Sequence, residues 1–513
     1  MSLILVLEPL FLEITTADLT TFLSISSTGE IADLQQAYTN IIYQQDSVCY
    51  AKNRNGTIVK SSTDFSVVWK YTISSSESTL IMNGIYYPQS VITTDIVSNV
   101  SVIGESKSGC IIDLSRMPEL VSYGSSWIPS GQYAGIVIRG TNLNIQSLTF
   151  HNYSLPVLGL GEYDSNMPSQ NNFIQNIQFR NCTGGDIYFY DGSGSTVNNI
   201  KSDSAYGAVY FWNGDQSNIK VSNIYMEPTL AMAPYGCDST ISFLPQQGNT
   251  SNIVIDNVVG NYTAYFDEGG TDFHMAGVVD FASYTPDNTN SVGNVTWNNL
   301  TVSNIYGYYA PALSVAFNFT GLTNSVFENL HSSYSQGGLN IAPMSGVYIE
   351  PRLFNANLTI NNVLFKDIYV DHANGAGFNF LVSGTGSPSV RAIVQGVTLK
   401  NLYLTDNNQQ KGTNSSSATV LYYGISGLNI GNLGAGINIF YDLTIDNLQA
   451  TDEQALPTQQ YPITWWNIGA AGSSFTNIQI IGGYFAGNVY DMPTTITPNG
   501  WGPFWGAPTI SYS

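Results

Sequence analysis

Short apolar runs recur along this chain, separated by turns rich in glycine, asparagine and serine. The pattern is most regular in residues 171–226, where Asn176–Asn181, Val197–Ser202 and Asn218–Asn223 follow one another at a spacing of 21 residues. Runs this short, rich in β-branched and aromatic residues, favour strands over helices. A repeat of about 20 to 50 residues indicates a solenoid, in which each unit buries its apolar face on its neighbours. The pattern therefore predicts a parallel β-helix with coils of about 21 residues.

A second apolar segment recurs in step with the first, at Ile187–Gly192 and Ala208–Asn213. We align Ile187 with Ala208 and expect both to face the interior. Alternation along the strand then places a group of aromatic residues on the outer face and at its turn: Tyr188, Tyr190, Phe211 and Trp212. Aromatic rings on such a surface can stack on sugars. We predict a glycan-binding surface here, with a subunit interface or an internal stack as the alternative.

An asparagine recurs after the first strand of many coils: Asn181, Asn223, Asn257, Asn304, Asn329, Asn401 and Asn447. Asparagine tolerates the left-handed backbone of a tight turn, and its amide can stack on the amide one coil away. We therefore interpret these residues as markers of the fold and not as catalysts.

The stretch before the regular coils has its own order of elements. Cys49–Val59 predicts a hairpin, Ser62–Lys70 a short amphipathic helix, and Ser78–Tyr86 and Asn99–Glu105 short strands. This order resembles the N-terminal head of pectin-lyase-fold proteins. The resemblance covers roughly residues 46–115, and the coil pattern continues it toward the C-terminus. It implies an all-β, right-handed parallel β-helix, but no particular activity, because this fold hosts lyases, hydrolases, phage tailspikes and structural proteins.

The coil pattern divides the chain into three parts. Residues 1–45 do not repeat and are predicted to form an anchor or cap, with a short helix over Asp33–Ile42. Residues 46–490 are predicted to form the β-helix, with long loops on one flank. Residues 491–513 stop repeating and are strongly aromatic, which is typical of a C-terminal cap or a subunit interface.

Composition narrows the classes of partner. The chain has 15 Lys and Arg against 36 Asp and Glu, for a net charge of −21. Nucleic-acid binding needs clusters of basic residues, and none is present. Charged residues make up 10% of the chain, against about 25% in ordinary domains. An uncharged polar surface suits an acidic exterior, where carboxylates are protonated, although β-helices are in any case rich in asparagine and glycine.

Cysteine spacing and the N-terminal stretch bear on location. The cysteines have no zinc-binding spacing: Cys49, Cys110, Cys182 and Cys237. The sequence is compatible with two disulfides and with buried free thiols. Met1–Ile14 is apolar but lacks the basic start of a signal peptide, and it is too short and too charged to span a bilayer. An exterior-type protein without a secretion signal is what a virion component would be; an unrecognised export route or an intracellular protein is the alternative.

The strongest candidate for chemistry lies in and after the loop 259–275: Asp267, Glu268, Asp272, His274 and Asp280. Paired carboxylates can act as acid and base on a glycosidic bond, or their oxygens can bind Ca²⁺. A solvated acidic loop is the alternative. A second acidic group is interpreted as turn residues: Asp186, Asp191, Asp203 and Asp215. No other cofactor and no transition-metal site are predicted.

Polygalacturonase-type enzymes of this fold carry an Asp-Asp pair, a Gly-His-Gly and an Arg-x-Lys, and this sequence has none of them. No lyase motif surrounds its arginines. These departures favour a protein that is not an enzyme, although they do not exclude a glycoside hydrolase or polysaccharide lyase.

The functional hypothesis from sequence is therefore a virion exterior protein, such as a spike, turret or tail fibre. We expect a trimer or a five-fold turret on the virion surface, joined to other virion proteins by its N-terminal segment and attached to a host-surface glycan. An extracellular polysaccharide hydrolase or lyase is the alternative. A cell-surface adhesion or structural protein is a third reading.

Overall fold

A computed structural model describes most of the chain between residues 38 and 512. The described ranges are 38–75, 77–118, 134–153, 157–161, 168–203, 207–212, 214–231, 237–245, 248–268, 277–283, 295–317, 319–335, 345–353, 356–384, 390–409, 426–432, 436–456, 458–459, 461–467, 473–486 and 510–512.

Almost all of the regular structure is β-strand. The first strands, in chain order, are β1 (Asn40–Gln45), β2 (Val48–Asn53), β3 (Ile58–Ser62), β4 (Ser78–Ile81), β5 (Gly84–Tyr86), β6 (Ile92–Thr93), β7 (Val97–Ser98), β8 (Ser101–Gly104), β9 (Cys110–Asp113), β10 (Ile136–Ile138), β11 (Gly140–Thr141), β12 (Asn144–Gln146), β13 (Thr149–Tyr153) and β14 (Leu158–Leu160). The described helices are α1 (Phe65–Ser75), α2 (Thr263–Asp267) and a 3₁₀ turn (Leu114–Arg116).

The later strands alternate between long and short. They are β15 (Phe173–Cys182), β16 (Ile187–Tyr190), β17 (Thr196–Ser202), β18 (Val209–Trp212), β19 (Ser217–Met226), β20 (Ile241–Leu244), β21 (Gly248–Asn261), β22 (Val279–Ser283), β23 (Val295–Tyr308), β24 (Leu313–Phe317), β25 (Phe319–Ser333), β26 (Val347–Leu353), β27 (Leu358–Asp371), β28 (Phe378–Gly384), β29 (Arg391–Thr405), β30 (Ser426–Asn432), β31 (Ile437–Thr451), β32 (Tyr461–Asn467), β33 (Ser474–Ala486) and β34 (Ile510–Tyr512).

These strands form two main sheets that run the length of the molecule. Sheet A has 20 strands and contains the long odd-numbered strands from β15 onward, while sheet B has 12 strands and contains the short strands between them. From β15 to β32 each coil contributes one strand to each sheet, and every such strand pairs in parallel with the strand one coil away. The predicted right-handed parallel β-helix is therefore confirmed.

The long strands of sheet A bend around the solenoid at residues with a left-handed backbone. Two asparagines make these corners in β21, Asn252 and Asn257, with φ of 56° and 55°. Their side-chain amides form ladders between coils: Asn257 Nδ2 donates to Asn223 Oδ1 at 2.7 Å, and Asn447 Nδ2 donates to Asn401 Oδ1 at 3.0 Å. The role predicted for the recurring asparagines is confirmed, because all seven have positive φ.

The interior is a continuous apolar core in which equivalent residues of successive coils pack on one another. The longest aromatic stack described in it comes from sheet B, where Phe189, Phe211, Phe243 and Phe281 lie with ring centroids 4.6 to 5.0 Å apart. All four rings are fully buried. Each ring covers the face of the next, so the stack continues without a gap across four coils.

The predicted spacing of 21 residues is wrong. Phe173 pairs with Thr196, and Thr196 pairs with Lys220, so these coils are 23 and 24 residues long. Several coils have two asparagine corners five residues apart, and the sequence alignment matched different corners. Asn176 belongs to the column of Asn199, whereas Asn218 belongs to the column of Asn252.

The head of the solenoid agrees in part with prediction. The hairpin is present as β2 and β3, and α1 begins at Phe65, three residues later than the predicted helix. Asp64 caps it, accepting a hydrogen bond from the Ser66 N–H at 2.9 Å. The helix predicted over Asp33–Ile42 is contradicted where it is described, because Asn40 begins strand β1.

The four cysteines are buried free thiols. Of the described helices, none is long and apolar enough to cross a membrane. Residues 1–37 and 487–509, which include most of the predicted N-terminal anchor and aromatic cap, lie outside the described residues.

Candidate functional site

The outer face of sheet B carries a column of polar residues, one on each strand from β16 to β30. In order along the solenoid they are Tyr188, Tyr210, Ser242, Asp280, Ser314, Tyr348, Asn379 and Asn429. Each is followed by a core residue, so side-chain alternation directs the column away from the core. Parallel pairing repeats the column about every 4.8 Å, which produces a straight row of hydroxyl, amide and carboxyl groups.

Although it faces outward, this column is largely removed from solvent. Tyr210 is 2% exposed, Asp280 6% and Asn379 0%. A buried polar group costs free energy unless it is hydrogen-bonded. A row of such groups therefore lowers the stability of the fold. Members of the row that lack hydrogen-bond partners are candidates for a functional role.

Asp280, on β22, has a strongly raised pKa. Burial is the main cause of a carboxyl pKa of about 8, a value that also contains a decrease from the Ser314 hydroxyl and an increase from Asp238. Its Oδ1 is buried and has no hydrogen-bond partner among the described residues. The raised pKa favours the protonated form of Asp280, which is the form required of a general acid.

A second carboxyl group lies beside it. Asp238 precedes β20, is half-buried, and accepts a hydrogen bond from the Tyr210 hydroxyl at 3.2 Å. Its negative charge is close enough to contribute to the raised pKa of Asp280. Two carboxyl groups so placed each disfavour the ionisation of the other.

A third carboxyl group, Glu350 on β26, lies further along the same face. It is 2% exposed and accepts a hydrogen bond from the Tyr348 hydroxyl. It is offset from Asp280 by two strands and two residues, which puts their Cα atoms about 11 to 12 Å apart. The intervening residues of its column, Ala282 and Ala316, are small.

The predicted catalytic cluster is only partly assembled. Asp267 and Glu268 are exposed at the end of α2, and Glu268 Oε2 accepts a hydrogen bond from the Leu230 N–H at 2.7 Å. Asp280 is instead buried on sheet B. Asp272 and His274 lie outside the described residues. Of the five predicted residues, Asp280 alone joins the site described here.

Comparison with known proteins finds solved structures of low similarity to this chain. No family model and no curated protein sequence matches it. The catalytic domain of a GH87 α-1,3-glucanase, solved with nigerose, is 12% identical with a TM-score of 0.41, covering 87% of this chain and 65% of that one. The A-module of the Azotobacter vinelandii mannuronan C-5 epimerase AlgE4 is 12% identical with a TM-score of 0.30, covering 85% and 91%.

The Agl-KA catalytic domain is likewise 12% identical, with a TM-score of 0.35, covering 78% of this chain and 62% of that one. This chain thus spans less than two thirds of the glucanase and Agl-KA chains. The glucanase and the epimerase are, by their names, carbohydrate-active proteins. Similarities at TM-scores below 0.5 assign neither activity nor substrate to this chain, so the function is argued from its own residues.

The predicted glycan-binding aromatics divide between the two faces of sheet B. Tyr188 is on the outer face and stacks on Tyr210 with ring centroids 4.5 Å apart, while Trp212 lies 6.3 Å from Tyr188. Tyr190 is 8% exposed. These rings pack on one another or are buried, which leaves little free ring face for a sugar.

Phe211 corrects the prediction, because it lies in the core between Phe189 and Phe243. Ile187 pairs with Val209 and not with Ala208. A shift of one residue in a strand exchanges the two faces. The sequence alignment therefore put Phe211 on the wrong side of the sheet.

One group of described residues has the composition of a metal site: Asp371, His372 and Asp406, whose ligand atoms lie within 4.8 Å of one another. His372 Nδ1 is 2.6 Å from Asp371 Oδ1, and Asp406 Oδ1 accepts a hydrogen bond from the Glu453 N–H at 2.6 Å. Ca²⁺ takes six to eight oxygen ligands, and this group does not supply them. We assign no metal to it.

Proposed function

We propose that this protein cleaves glycosidic bonds in a polysaccharide that lies along the outer face of sheet B. The observation that carries the proposal is Asp280, a buried carboxyl group with a raised pKa beside a second carboxyl group, Asp238. Glycoside hydrolysis uses such a pair, with one carboxyl group protonated and the other ionised.

In the proposed reaction, Asp280 donates its proton to the glycosidic oxygen as the bond to the anomeric carbon breaks. Asp238 accepts a proton from the water molecule that attacks this carbon. The products are two shorter chains, one with a new reducing end. Proton exchange with solvent then returns Asp280 to its protonated form and Asp238 to its carboxylate.

The substrate would meet this face where it is accessible. Most of the polar column is buried, from Tyr210 (2% exposed) to Asn379 (0%). Tyr188, Asp238 and Tyr348 are half-buried, so the phenol and carboxyl groups that a sugar chain could contact are theirs.

The test is release of reducing ends from a panel of neutral and acidic polysaccharides. We expect Asp280→Asn to lower the rate about 10²- to 10⁴-fold, the usual contribution of a general acid, and Asp238→Asn to have a similar effect. Asparagine has the shape of the protonated aspartic acid, so Asp280→Asn preserves packing.

Asp267→Asn is the matched control, because Asp267 is exposed on α2 and lies outside the proposed site. Its rate should equal that of the unsubstituted protein. Loss of activity in Asp267→Asn with full activity in Asp280→Asn would place the chemistry in the loop. Binding of a polysaccharide without any cleavage by the unsubstituted protein would reject hydrolysis.

The virion exterior role, its oligomeric state and its location stay predictions from sequence, and neither the structure nor the comparisons support them over the enzyme. Mass spectrometry of purified virus particles from the source culture checks the virion role directly.

A further inference from the structure

Acceptor sequences for N-linked glycosylation, in which serine or threonine follows two residues after an asparagine, are frequent in this chain. Eleven of them occur, at Asn55, Asn99, Asn152, Asn181, Asn249, Asn261, Asn294, Asn299, Asn318, Asn357 and Asn414. The last residue types are so common here that many of these sequences arise by chance. The structure separates them, because a glycan needs an accessible amide nitrogen and room beside it for a sugar. Asn294, Asn318 and Asn414 lie outside the described residues.

Four of the described acceptor asparagines already use their amide nitrogen in a contact with a neighbouring coil. Asn299 Nδ2, for example, donates to Asn252 Oδ1 at 2.7 Å. The same use of the amide nitrogen is found in Asn152, Asn181 and Asn261. Neighbouring coils are only about 4.8 Å apart. A sugar on one of these nitrogens would therefore disrupt the contact between coils.

Three more acceptor asparagines are held by a neighbouring coil through their side-chain oxygen. Asn99 Oδ1 accepts a hydrogen bond from the Asn142 amide at 2.9 Å, and Asn357 Oδ1 accepts one from the Arg391 N–H at 2.9 Å. Asn249 Oδ1 accepts the hydroxyl group of a threonine in the next coil. The orientation of each of these amides is therefore fixed by the packing of the coils.

Asn55 differs from these seven residues. It lies in the turn between β2 and β3, and its side chain makes no hydrogen bond with any residue that the structure describes. Asn55 is exposed, and so are Arg54, Thr57 and Ile58 around it. Both the amide nitrogen and the space beside it are therefore available to a sugar.

The turn holds this acceptor sequence in one accessible shape. Asn53 Oδ1 accepts hydrogen bonds from the N–H groups of Asn55 and Thr57, each at 3.0 Å. Gly56, the middle residue of the acceptor sequence, has a φ of 79°, a left-handed backbone that glycine adopts without strain. The amide of Asn55 and the hydroxyl group of Thr57, the two groups that define the acceptor sequence, are therefore presented on one exposed turn.

We propose that Asn55 carries an N-linked glycan and that the seven acceptor asparagines in the coils do not. In the reaction, Asn55 Nδ2 forms a bond to the anomeric carbon of a lipid-linked sugar donor. The bond from this carbon to the phosphate oxygen of the donor breaks, the lipid phosphate leaves with the bonding electrons, and Nδ2 loses one proton to solvent. The modified turn is in the head, several coils from Asp280, so the proposal is independent of the proposed hydrolysis.

Peptide mapping by mass spectrometry of the protein purified from its source culture tests the proposal. Fragmentation that preserves the bond between sugar and asparagine assigns the modified residue. We expect the peptide that contains Asn55 to carry the mass of a glycan, and the peptides that contain Asn152, Asn181 and Asn299 to be unmodified. An unmodified Asn55, or a glycan on one of these three asparagines, overturns the proposal.

Variants of the full chain, secreted from a host cell that N-glycosylates its exported proteins, give a matched control. Thr57→Val destroys the acceptor sequence of Asn55 and should lower the mass of the protein by one glycan, whereas Thr57→Ser should keep that glycan. Thr301→Val destroys the acceptor sequence of Asn299 at an exposed position of β23 and keeps the asparagine contact. Its glycan mass should be unchanged. A mass that stays the same in Thr57→Val, or falls by one glycan in Thr301→Val, contradicts the proposal.

Discussion

The outer faces of the two sheets are built from similar residue types. They differ in how fully the polar and aromatic side chains contact one another. On sheet A, Tyr306, His331, Tyr369 and Tyr403 form a ladder with ring centroids 4.5 to 4.8 Å apart. Beside it, Lys366 pairs with Glu328 at 3.1 Å and Lys400 with Asp446 at 2.9 Å. The inner rings, His331 and Tyr369, contact a ring on both sides, and each of these charges is paired with a neighbouring coil.

Sheet B differs in the middle of its outer face. Asp280 is buried there with one oxygen that lacks a hydrogen-bond partner among the described residues, next to a second carboxyl group. A surface whose groups satisfy one another stabilises the solenoid and needs no ligand. A surface that keeps a buried carboxyl oxygen without a hydrogen-bond partner is less stable, but its carboxyl group is available for acid catalysis. The contrast agrees with the proposed place of the chemistry, on sheet B.

The largest expected effect concerns pH. The folded-state pKa of Asp280 is raised from 3.8 to about 8, so the folded protein holds this proton more tightly than the unfolded chain. The stabilising contribution is fully present below pH 4 and is lost as pH rises to 8. We expect the free energy of unfolding to fall by about 5 kcal/mol over this window from Asp280 alone.

Urea unfolding from pH 4 to pH 8 measures this change, and Asp280→Asn should remove most of it. A pH dependence that is the same in both proteins contradicts the protonated state of Asp280, and with it the assignment of the general acid.

The next effect tests which face Phe211 occupies. Phe211→Ala removes a ring from the middle of the core stack, and we expect a loss of about 3 to 5 kcal/mol in the free energy of unfolding. Tyr188→Ala, on the outer face, is the comparison variant and should cost clearly less. Equal costs in the urea midpoints would favour the register predicted from sequence.

A smaller effect is expected for the ladder of sheet A. Tyr369 contacts His331 and Tyr403, and each aromatic pair is worth about 0.5 to 1.5 kcal/mol. Tyr369→Ala should therefore lower the free energy of unfolding by about 1 to 2 kcal/mol without changing polysaccharide cleavage. If cleavage fell along with stability, sheet A would not be the purely structural face.

The smallest effect belongs to the ion pairs beside this ladder. Lys400 and Asp446 are both partly exposed, and exposed pairs contribute about 0.2 to 1 kcal/mol. Lys400→Gln should shift thermal unfolding slightly, and the shift should disappear in high salt. A shift that persists in high salt would show that this residue stabilises the solenoid by packing and not by charge.

The fold was predictable because its signals are local and repeated. Short β-branched runs and asparagine corners identify a β-helix without any knowledge of pairing. The register was not predictable, because coils with two asparagine corners, such as Asn218 and Asn223, offer two alignments of similar quality. Side-chain direction depends on register, so Phe211 was misplaced while its strand was found.

Of the residues in the candidate site, the sequence analysis predicted Asp280 alone. Glu350 lies in Val347–Leu353, a strand that the sequence analysis did not identify, and Asp238 lies in a loop that gave no pattern. A signal was present: Ser242, Asp280, Ser314 and Tyr348 each follow the first apolar residue of a sheet B strand. Aligning these short strands with one another would have revealed the column, whereas burial and Coulombic coupling of carboxyl groups are visible only in three dimensions.

The four buried free cysteines can serve as probes of local opening along the solenoid. Burial raises the pKa of Cys49 to about 11 and that of Cys110 to about 12, and it raises the pKa of Cys182 and Cys237 further. Only thiolates react with alkylating reagents, so none of the four reacts until its own coil opens. Cys49 and Cys110 lie in the head, and Cys182 and Cys237 in the coils beyond it. Their labelling rates, followed peptide by peptide, therefore record how far local opening spreads along the first half of the solenoid.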